Sequence, residues 1–138
     1  MGIEENKARH RQFVEEIFNK KNLELIPEFI APGFVDHMPV DDLYGEKGVN
    51  FTAALITAFP DLHWTIEDMI AEGDKLATRI TCEGTFTGEF LGNAPTGNKV
   101  TLSMIIITQW KDGKEVEAWA VYDQLSFYRQ AGIPTNYD

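Results

Sequence analysis

The sequence contains a single cysteine, Cys82, among 138 residues. One cysteine excludes a disulfide within the chain and any zinc site built from several thiolates. As a nucleophile it would need a neighbouring base, but the adjacent residue is Glu83, whose negative charge raises the pKa of a thiol. We therefore expect Cys82 to fill the core.

Positive charge is also scarce, because 12 Lys and Arg against 22 Asp and Glu give a formal net charge of -10. Nucleic acids are bound by clustered Lys and Arg that displace phosphate counterions, so we expect no nucleic-acid partner. Anionic lipid surfaces repel an excess of carboxylates, and long apolar runs are missing, so we expect no membrane partner. Residues 1–13 lack the apolar segment of a secretory signal, which favours a cytoplasmic location.

Motifs for metals and nucleotides are missing as well. The three histidines are scattered, and neither a His-x-x-x-His nor an Asp-x-Asp pattern occurs, so we predict no metal site. There is no Gly-x-Ser-x-Gly elbow, no Gly-x-Gly-x-x-Gly turn and no Gly-Lys-Ser phosphate loop. The sequence therefore predicts a protein that works without a cofactor.

The composition is that of a folded domain, with 43% hydrophobic and 12% aromatic residues. A chain of this length buries one core, so we expect a single domain over residues 1–138. In the first half, apolar residues recur at helical spacing in three segments, 4–21, 22–30 and 46–59. Pro27 suggests that the second helix begins later than its first residue.

In the second half of the chain, apolar and polar residues alternate with the two-residue period of β-strands. Antiparallel strands are predicted from residue 62 to a turn at 72–74, then over 75–86, 99–110 and 115–123. A shorter strand at 34–37 precedes a loop at 38–45, and residues 124–131 suggest a final short helix. Helices followed by an antiparallel meander predict the α+β class, in which a curved sheet wraps around helices and leaves a conical hollow. Such a hollow is a natural ligand site.

The last predicted strand contains the best candidate acid/base. Glu117, Trp119, Val121 and Asp123 are two residues apart and share one face. If Trp119 faces the hollow, so does Asp123, and a carboxylate among apolar side chains has a raised pKa that suits proton transfer. The spacing leaves open the alternative that Asp123 caps the helix beginning at Gln124.

Asp36 and His37 form a second candidate pair. Neighbours in a strand point to opposite faces, so only one of them can enter the hollow unless the strand is bulged. A lone histidine in a strand is more often a hydrogen-bonded structural residue than a ligand contact. His10 and His63 are weaker candidates still.

Several blocks, in a consistent order, resemble a known family. They are Ala-Pro-Gly-Phe-Val-Asp-His at 31–37, Ala-Phe-Pro-Asp-Leu at 58–62, Gly-Thr-Phe-Thr-Gly-Glu-Phe-Leu-Gly at 84–92, Asp-Gly-Lys at 112–114, and Glu117-x-Trp119-x-x-x-Asp123. In these blocks the chain resembles the SnoaL-like polyketide cyclases, or ester cyclases, of the nuclear-transport-factor-like superfamily. The resemblance spans nearly the whole chain.

The resemblance implies a cystatin-like, nuclear-transport-factor-like conical barrel, with N-terminal helices packed in a curved, mostly antiparallel sheet. It also implies a cofactor-free aldol condensation within a bulky, apolar carbonyl compound. Asp123 would be the acid/base, and His37 or a tyrosine would donate to the enolate oxygen. The predicted binding wall consists of Trp119, Trp64, Phe90, Phe86, Met104 and Tyr44.

One predicted strand has apolar residues on both of its faces, and this pattern indicates whether the chain associates with other copies of itself. Ile105 and Ile107 alternate with Met104 and Ile106, so one apolar set lies on the outer face of the sheet and must be covered. This pattern, like the resemblance, predicts a homodimer or a larger homo-oligomer.

Two residues depart from the family pattern, since Phe86 and Ala118 stand where members often carry histidine. A pocket with fewer polar groups leaves open a second function, a non-catalytic binding protein for a small hydrophobic ligand. A third function, an isomerase or epoxide hydrolase of the same superfamily, would require several polar groups around a water, and the predicted lining is too apolar to favour it.

Overall fold

The computed structural model describes residues 2–39 and 41–136. The helices are α1 (Ile3–Phe13), α2 (Ile26–Phe29), α3 (Glu46–Ala58) and α4 (Gln124–Ala131). The strands are β1 (Ile30–His37), β2 (Asp42–Tyr44), β3 (His63–Glu72), β4 (Lys75–Thr85), β5 (Lys99–Lys111) and β6 (Lys114–Tyr122). A π-helical segment, Val14–Asn19, continues α1, and a 3-10 turn, Leu23–Leu25, precedes α2. None of the helices in these ranges is long and apolar enough to cross a membrane.

All six strands form one curved, unclosed sheet in the order β2-β1-β6-β5-β4-β3. Strands β3 to β6 are the predicted antiparallel meander, and β1 pairs with β6 in parallel. The predicted α+β class is therefore confirmed. This parallel pairing places residues of β1, from the first half of the chain, beside those of β6, the last strand.

The first helix is attached to the sheet by its apolar face and by one side chain. His10, Phe13 and Ile17 follow one another at helical spacing and are almost completely buried. At the end of the π-helical segment, Asn19 exchanges two hydrogen bonds with the backbone of Trp64, at 3.1 and 2.8 Å. These contacts hold α1 and its continuation across the concave side of the sheet.

The structure corrects the predicted elements between residues 22 and 45. The second helix is only four residues long, with Pro27 in its first turn, because the chain is already extended at Ile30. The predicted strand at 34–37 begins earlier than expected, because residues 31–33 also belong to β1. The predicted loop at 38–45 contains the short strand β2, which pairs with the end of β1, and Val40 of that loop lies outside the described residues.

The long connection between β4 and β5 is tied to the end of α3 by Gly88. Its backbone N–H donates to the carbonyl of Ala58 at 3.0 Å. A Cβ atom at this position would lie 2.4 Å from the carbonyl oxygen of Thr57, closer than real contacts allow, so only glycine fits. This close approach holds Phe86 and Phe90, two residues before and after Gly88, in the core beside Phe59.

Candidate functional site

A cavity lies between the concave face of the sheet and the helices α1, α3 and α4. Its internal volume is about 120 Å³, measured as the space open to the centre of a water molecule. Its wall is mainly apolar and includes Phe34, Phe51, Phe59, Trp64, Met104 and Ile106. Half-buried residues of α3, such as Thr52 and Leu55, line it together with Met38 and mark its more open side.

Strand β6 makes room for the cavity. Ala118, Ala120 and Tyr122 point inward and line it. Two alanines in succession leave space where larger side chains would fill the hollow between sheet and helices. Tyr122 then places a phenol at the wall, and burial, with smaller effects from neighbouring groups, raises its pKa to about 12. Its hydroxyl therefore stays protonated and is able to donate a hydrogen bond.

Asp36 is the carboxylate that β1 directs into the cavity. It shares the inner face of the strand with buried Phe34 and lies beside Ala118 of β6 in the parallel ladder. Burial raises its pKa to about 6, against the opposing effect of the charge on adjacent His37. A carboxyl group with this pKa has both protonation states accessible near neutral pH, which is the property that an acid/base needs.

Glu115 and His10 contribute two further ionisable groups to the cavity wall. Glu115 is 4% exposed, and burial, followed by the nearby charge of Asp36, raises its pKa well above the usual value. His10 is 1% exposed, and burial, followed by the charge of Arg11, lowers its pKa to about 4. Burial therefore disfavours the charged form of both groups.

The thiol of Cys82 also lines the cavity, and burial raises its pKa to about 12. It is 9% exposed and belongs to the hydrophobic core, as the sequence predicted. Within residues 2–39 and 41–136, no group of three His, Cys, Asp or Glu side chains is arranged to hold a metal ion.

Asp123 does not lie in the cavity wall. The residue is exposed and immediately precedes α4, where its Oδ1 accepts a hydrogen bond of 2.9 Å from the backbone N–H of Ser126. This is the helix cap that the spacing had left open as an alternative. The expectation that Asp123 and Trp119 line the cavity is wrong, because the inner face of β6 belongs to the alternate residues Ala118, Ala120 and Tyr122.

Trp119 and His37 lie together on the outer face of the sheet. Their rings stack with centroids 5.3 Å apart, and the ammonium group of Lys75 lies 5.2 Å from the Trp119 ring. The His37 imidazole contacts Glu117 at 2.6 Å and Asp42 at 2.8 Å, and these hydrogen bonds, that to Glu117 first, raise its pKa. His37 and Asp36 thus point to opposite faces, as predicted, but the carboxylate is the one that enters the cavity.

The remaining predicted binding residues are divided among three locations. Trp64 and Met104 line the cavity as predicted. Phe86 and Phe90 are buried behind the wall, with the Phe90 ring centroid 6.0 Å from that of the lining residue Phe51. Tyr44, in the edge strand β2, is 61% exposed and lies away from the cavity.

Comparison with known proteins places this architecture in one family. The model of the SnoaL-like polyketide cyclases matches residues 8–131. AclR, a proposed hydroxylase from Streptomyces galilaeus, is 30% identical with a TM-score of 0.83, over 96% of this chain and 100% of that one. IdmH, a proposed polyketide cyclase from Streptomyces antibioticus, is 29% identical with a TM-score of 0.76, over 93% and 99%.

A SnoaL-like protein from Jannaschia, 24% identical over 95% of this chain and 94% of that one, shares the fold with a TM-score of 0.84. No curated protein matches the sequence. The family model extends from within α1 to the last residue of α4, and so covers the helices, the sheet and the cavity between them. The chain therefore belongs to the SnoaL-like polyketide cyclase family.

Proposed function

We propose that the protein is a cofactor-free enzyme of the polyketide cyclase type, which performs acid/base chemistry on a bulky, apolar carbonyl compound with Asp36 as its acid/base. The observation that carries this proposal is a single feature, a carboxyl group with a pKa of about 6 in the wall of an apolar cavity. The family supports the reaction class, since IdmH is a proposed polyketide cyclase.

The proposed reaction is an aldol condensation within one substrate molecule. The Asp36 carboxylate removes a proton from a carbon next to a carbonyl. The electron pair of that C–H bond forms the C=C bond of the enolate, and the π pair of the carbonyl moves onto its oxygen. The Tyr122 hydroxyl donates a hydrogen bond to the enolate oxygen. The enolate carbon then attacks a second carbonyl carbon and forms the ring bond, after which Asp36 returns the proton to the new alkoxide. Every proton and electron pair is conserved.

The apolar wall favours this chemistry. Excluding water strengthens the hydrogen bond between Tyr122 and the developing enolate, because the effective dielectric constant in the cavity is low. It also holds Asp36 partly desolvated, which makes its carboxylate a stronger base than an exposed aspartate. Asp123 lacks both conditions, since it is exposed and engaged with the backbone of Ser126.

Proton transfer can be tested without the natural substrate. The probe is 2-tetralone, a bicyclic ketone whose α-hydrogens exchange with D₂O, and exchange is followed by NMR with catalytic amounts of protein. We expect Asp36→Asn to slow protein-catalysed exchange by roughly a hundredfold. Asp123→Asn is the matched control, because asparagine caps a helix nearly as well as aspartate, and its exchange rate should be unchanged.

The reverse pattern, with loss of exchange only in Asp123→Asn, would assign the acid/base to Asp123 and overturn this proposal. Binding of 2-tetralone by the wild type with no catalysed exchange would instead favour the alternative function, a binding protein for hydrophobic ligands. Binding is therefore measured by equilibrium dialysis on the same samples.

The outer face of the sheet supports a second proposal, that the chain forms a homodimer through it. Ile105, Ile107 and Val121 are 52%, 41% and 70% exposed there, and they adjoin one another because Ile105 pairs with Val121 and Ile107 with Trp119. A contiguous apolar surface of this kind favours association. We expect a dimer by light scattering at micromolar concentration and a monomer for Val121→Glu, whereas a monomeric wild type would contradict the proposal.

A further inference from the structure

The least exposed part of the cavity wall contains polar atoms that have no partner. Oε2 of Glu115 and both ring nitrogens of His10 make no hydrogen bond with any residue of 2–39 or 41–136. These side chains are 4% and 1% exposed, and both line the cavity. Buried polar groups are nearly always hydrogen-bonded, since an unsatisfied one costs on the order of 1–3 kcal/mol. The indole nitrogen of Trp64, also in the cavity wall, is unpartnered as well, so three residues of one wall have unsatisfied polar atoms. Such a wall indicates a place where a ligand completes the hydrogen bonding.

Glu115 and His10 lie at the same end of the cavity, because both are neighbours of Trp110. The His10 ring meets the edge of the Trp110 ring at 5.7 Å, and Trp110 is the cross-strand partner of Glu115. The indole N–H of Trp110 is already occupied, since it donates to Thr108 Oγ1 at 2.9 Å. The free hydrogen-bonding capacity at this end therefore belongs to Glu115 and His10.

This inner end is separated from the proposed acid/base. Asp36 lies beside Ala118, three residues further along β6 than Glu115. At about 3.3 Å per residue, the backbone positions of Asp36 and Glu115 are roughly 10 Å apart along the sheet. The cavity therefore presents two polar points to a ligand, which are still close enough for the charge of Asp36 to raise the pKa of Glu115.

The charges around the cavity limit which chemistry suits the inner end. No Lys or Arg is among the described residues that line it. The nearby cation Arg9 is engaged elsewhere, since its guanidinium donates to the carbonyls of Gly113 and Glu28 and lies 4.1 Å from the centre of the Phe29 ring. Arg11, whose charge acts on His10 less strongly than burial does, is exposed and does not line the cavity. With no cation in the described lining, an anionic group would be disfavoured there. A neutral imidazole has one donor and one acceptor nitrogen, and the carboxyl oxygens of Glu115 can accept a hydrogen bond.

We propose that Glu115 and His10 form an oxygen-binding subsite, which holds an uncharged hydroxyl or carbonyl group of the ligand at the inner end of the cavity. The subsite narrows the substrate class to uncharged, mainly apolar compounds with two oxygen functions, one at Asp36 and the other at Glu115 and His10. The inference rests on the proposed function only in taking this cavity as the ligand site.

A pair of probes that differ in one hydroxyl tests the subsite. Equilibrium dialysis of the full chain is carried out with 2,6-dihydroxynaphthalene and 2-naphthol. We expect the wild type to bind the diol about tenfold more tightly, as one additional hydrogen bond to a buried group would give. In Glu115→Leu this preference should disappear, because leucine neither donates nor accepts.

Two further variants separate recognition from structure. Glu115→Gln retains a donor and an acceptor of similar shape and should keep most of the preference for the diol. Met104→Leu changes the apolar wall at nearly constant volume and should shift the affinity for both probes equally. Thermal unfolding of each variant shows that it is folded.

An equal affinity of the wild type for the two probes would overturn the inference, and so would an undiminished preference in folded Glu115→Leu. Either result would make Glu115 and His10 structural residues only. The binding experiment requires no turnover and tests only the subsite of Glu115 and His10. The exchange of 2-tetralone hydrogens tests Asp36, so the two proposals can fail independently.

Discussion

Replacing Asp36 by asparagine should make the protein more stable at neutral pH and inactive in proton transfer. The Asp36 carboxyl is partly buried in an apolar wall, and burial raises its pKa from 3.8 to about 6. The folded state therefore binds a proton that the unfolded state has released between those two pH values. The contribution of the Asp36 proton to the free energy of unfolding is fully present below pH 3.8 and is lost as the pH rises through about 6.

The magnitude follows from the size of the shift. A shift of about two pKa units corresponds to about 3 kcal/mol at neutral pH, because one unit is worth about 1.4 kcal/mol. Asp36 retains some solvent contact, so we expect a measured effect of about 1–3 kcal/mol. Asparagine resembles the protonated carboxyl in shape and does not ionise. Asp36→Asn should thus match the wild type near pH 3.5 and exceed it by this amount above pH 7.

Urea unfolding followed by tryptophan fluorescence, at intervals from pH 3.5 to 8, measures this difference. Met104→Leu is the control, since it alters the same cavity without removing an ionisable group, and its curve should run parallel to that of the wild type. A constant difference between Asp36→Asn and the wild type across this pH range would refute the reasoning. It would mean that Asp36 is solvated in the folded protein and is not a tuned base.

Three further predictions concern features outside the cavity. Asp123→Ala should lower the free energy of unfolding by about 1 kcal/mol, as loss of a helix cap does, whereas Asp123→Asn should change it by only a few tenths, and chemical denaturation distinguishes the two. Gly88→Ala should destabilise by about 1–3 kcal/mol or more in the same assay, because its methyl group would strike the Thr57 carbonyl; a neutral result would contradict the close approach. In NMR titrations the pKa of His37 should lie above 6.5 and move down in Glu117→Gln, and an unchanged value would exclude that hydrogen bond as the main cause.

The sequence predicted the elements well, because their signals are local. The helical spacing through α3 and the alternation through β3 to β6 each depend on a few neighbouring residues. The bounds of α4 follow from Asp123 before it and from Gly132 after it, which adopts the left-handed conformation that ends helices. The pairing of β1 with β6 has no such local signal, because the two strands lie far apart in the chain.

The candidate site was harder to predict because alternation shows which residues share a face but not which face points inward. For β6 the large Trp119 suggested the core, yet its ring packs against His37 and Lys75 outside the sheet. Asp36 did carry a usable signal, since it lies two residues after Phe34, an aromatic residue expected to be buried. His10 also carried a usable signal, because it precedes Phe13 by three residues on the apolar face of α1.

Glu115 had no signal of this kind. A bulge between β5 and β6 interrupts the register after Gln109, so alternation counted back from Ala118 does not give the orientation of Glu115. Only the three-dimensional structure shows that this glutamate is buried.

The parallel pairing of β1 with β6 also affects the order in which the parts of the cavity come together. His37 and Glu117, which bond across this pair, are separated by 80 positions in sequence. Contacts between such distant segments form late, since a long loop must close before they are made. During synthesis on the ribosome, Asp36 emerges long before Glu115 and Tyr122 exist. Asp36 therefore meets Ala118 and Tyr122 only when the final strand has docked, and we expect the cavity to be among the last parts of the molecule to be completed.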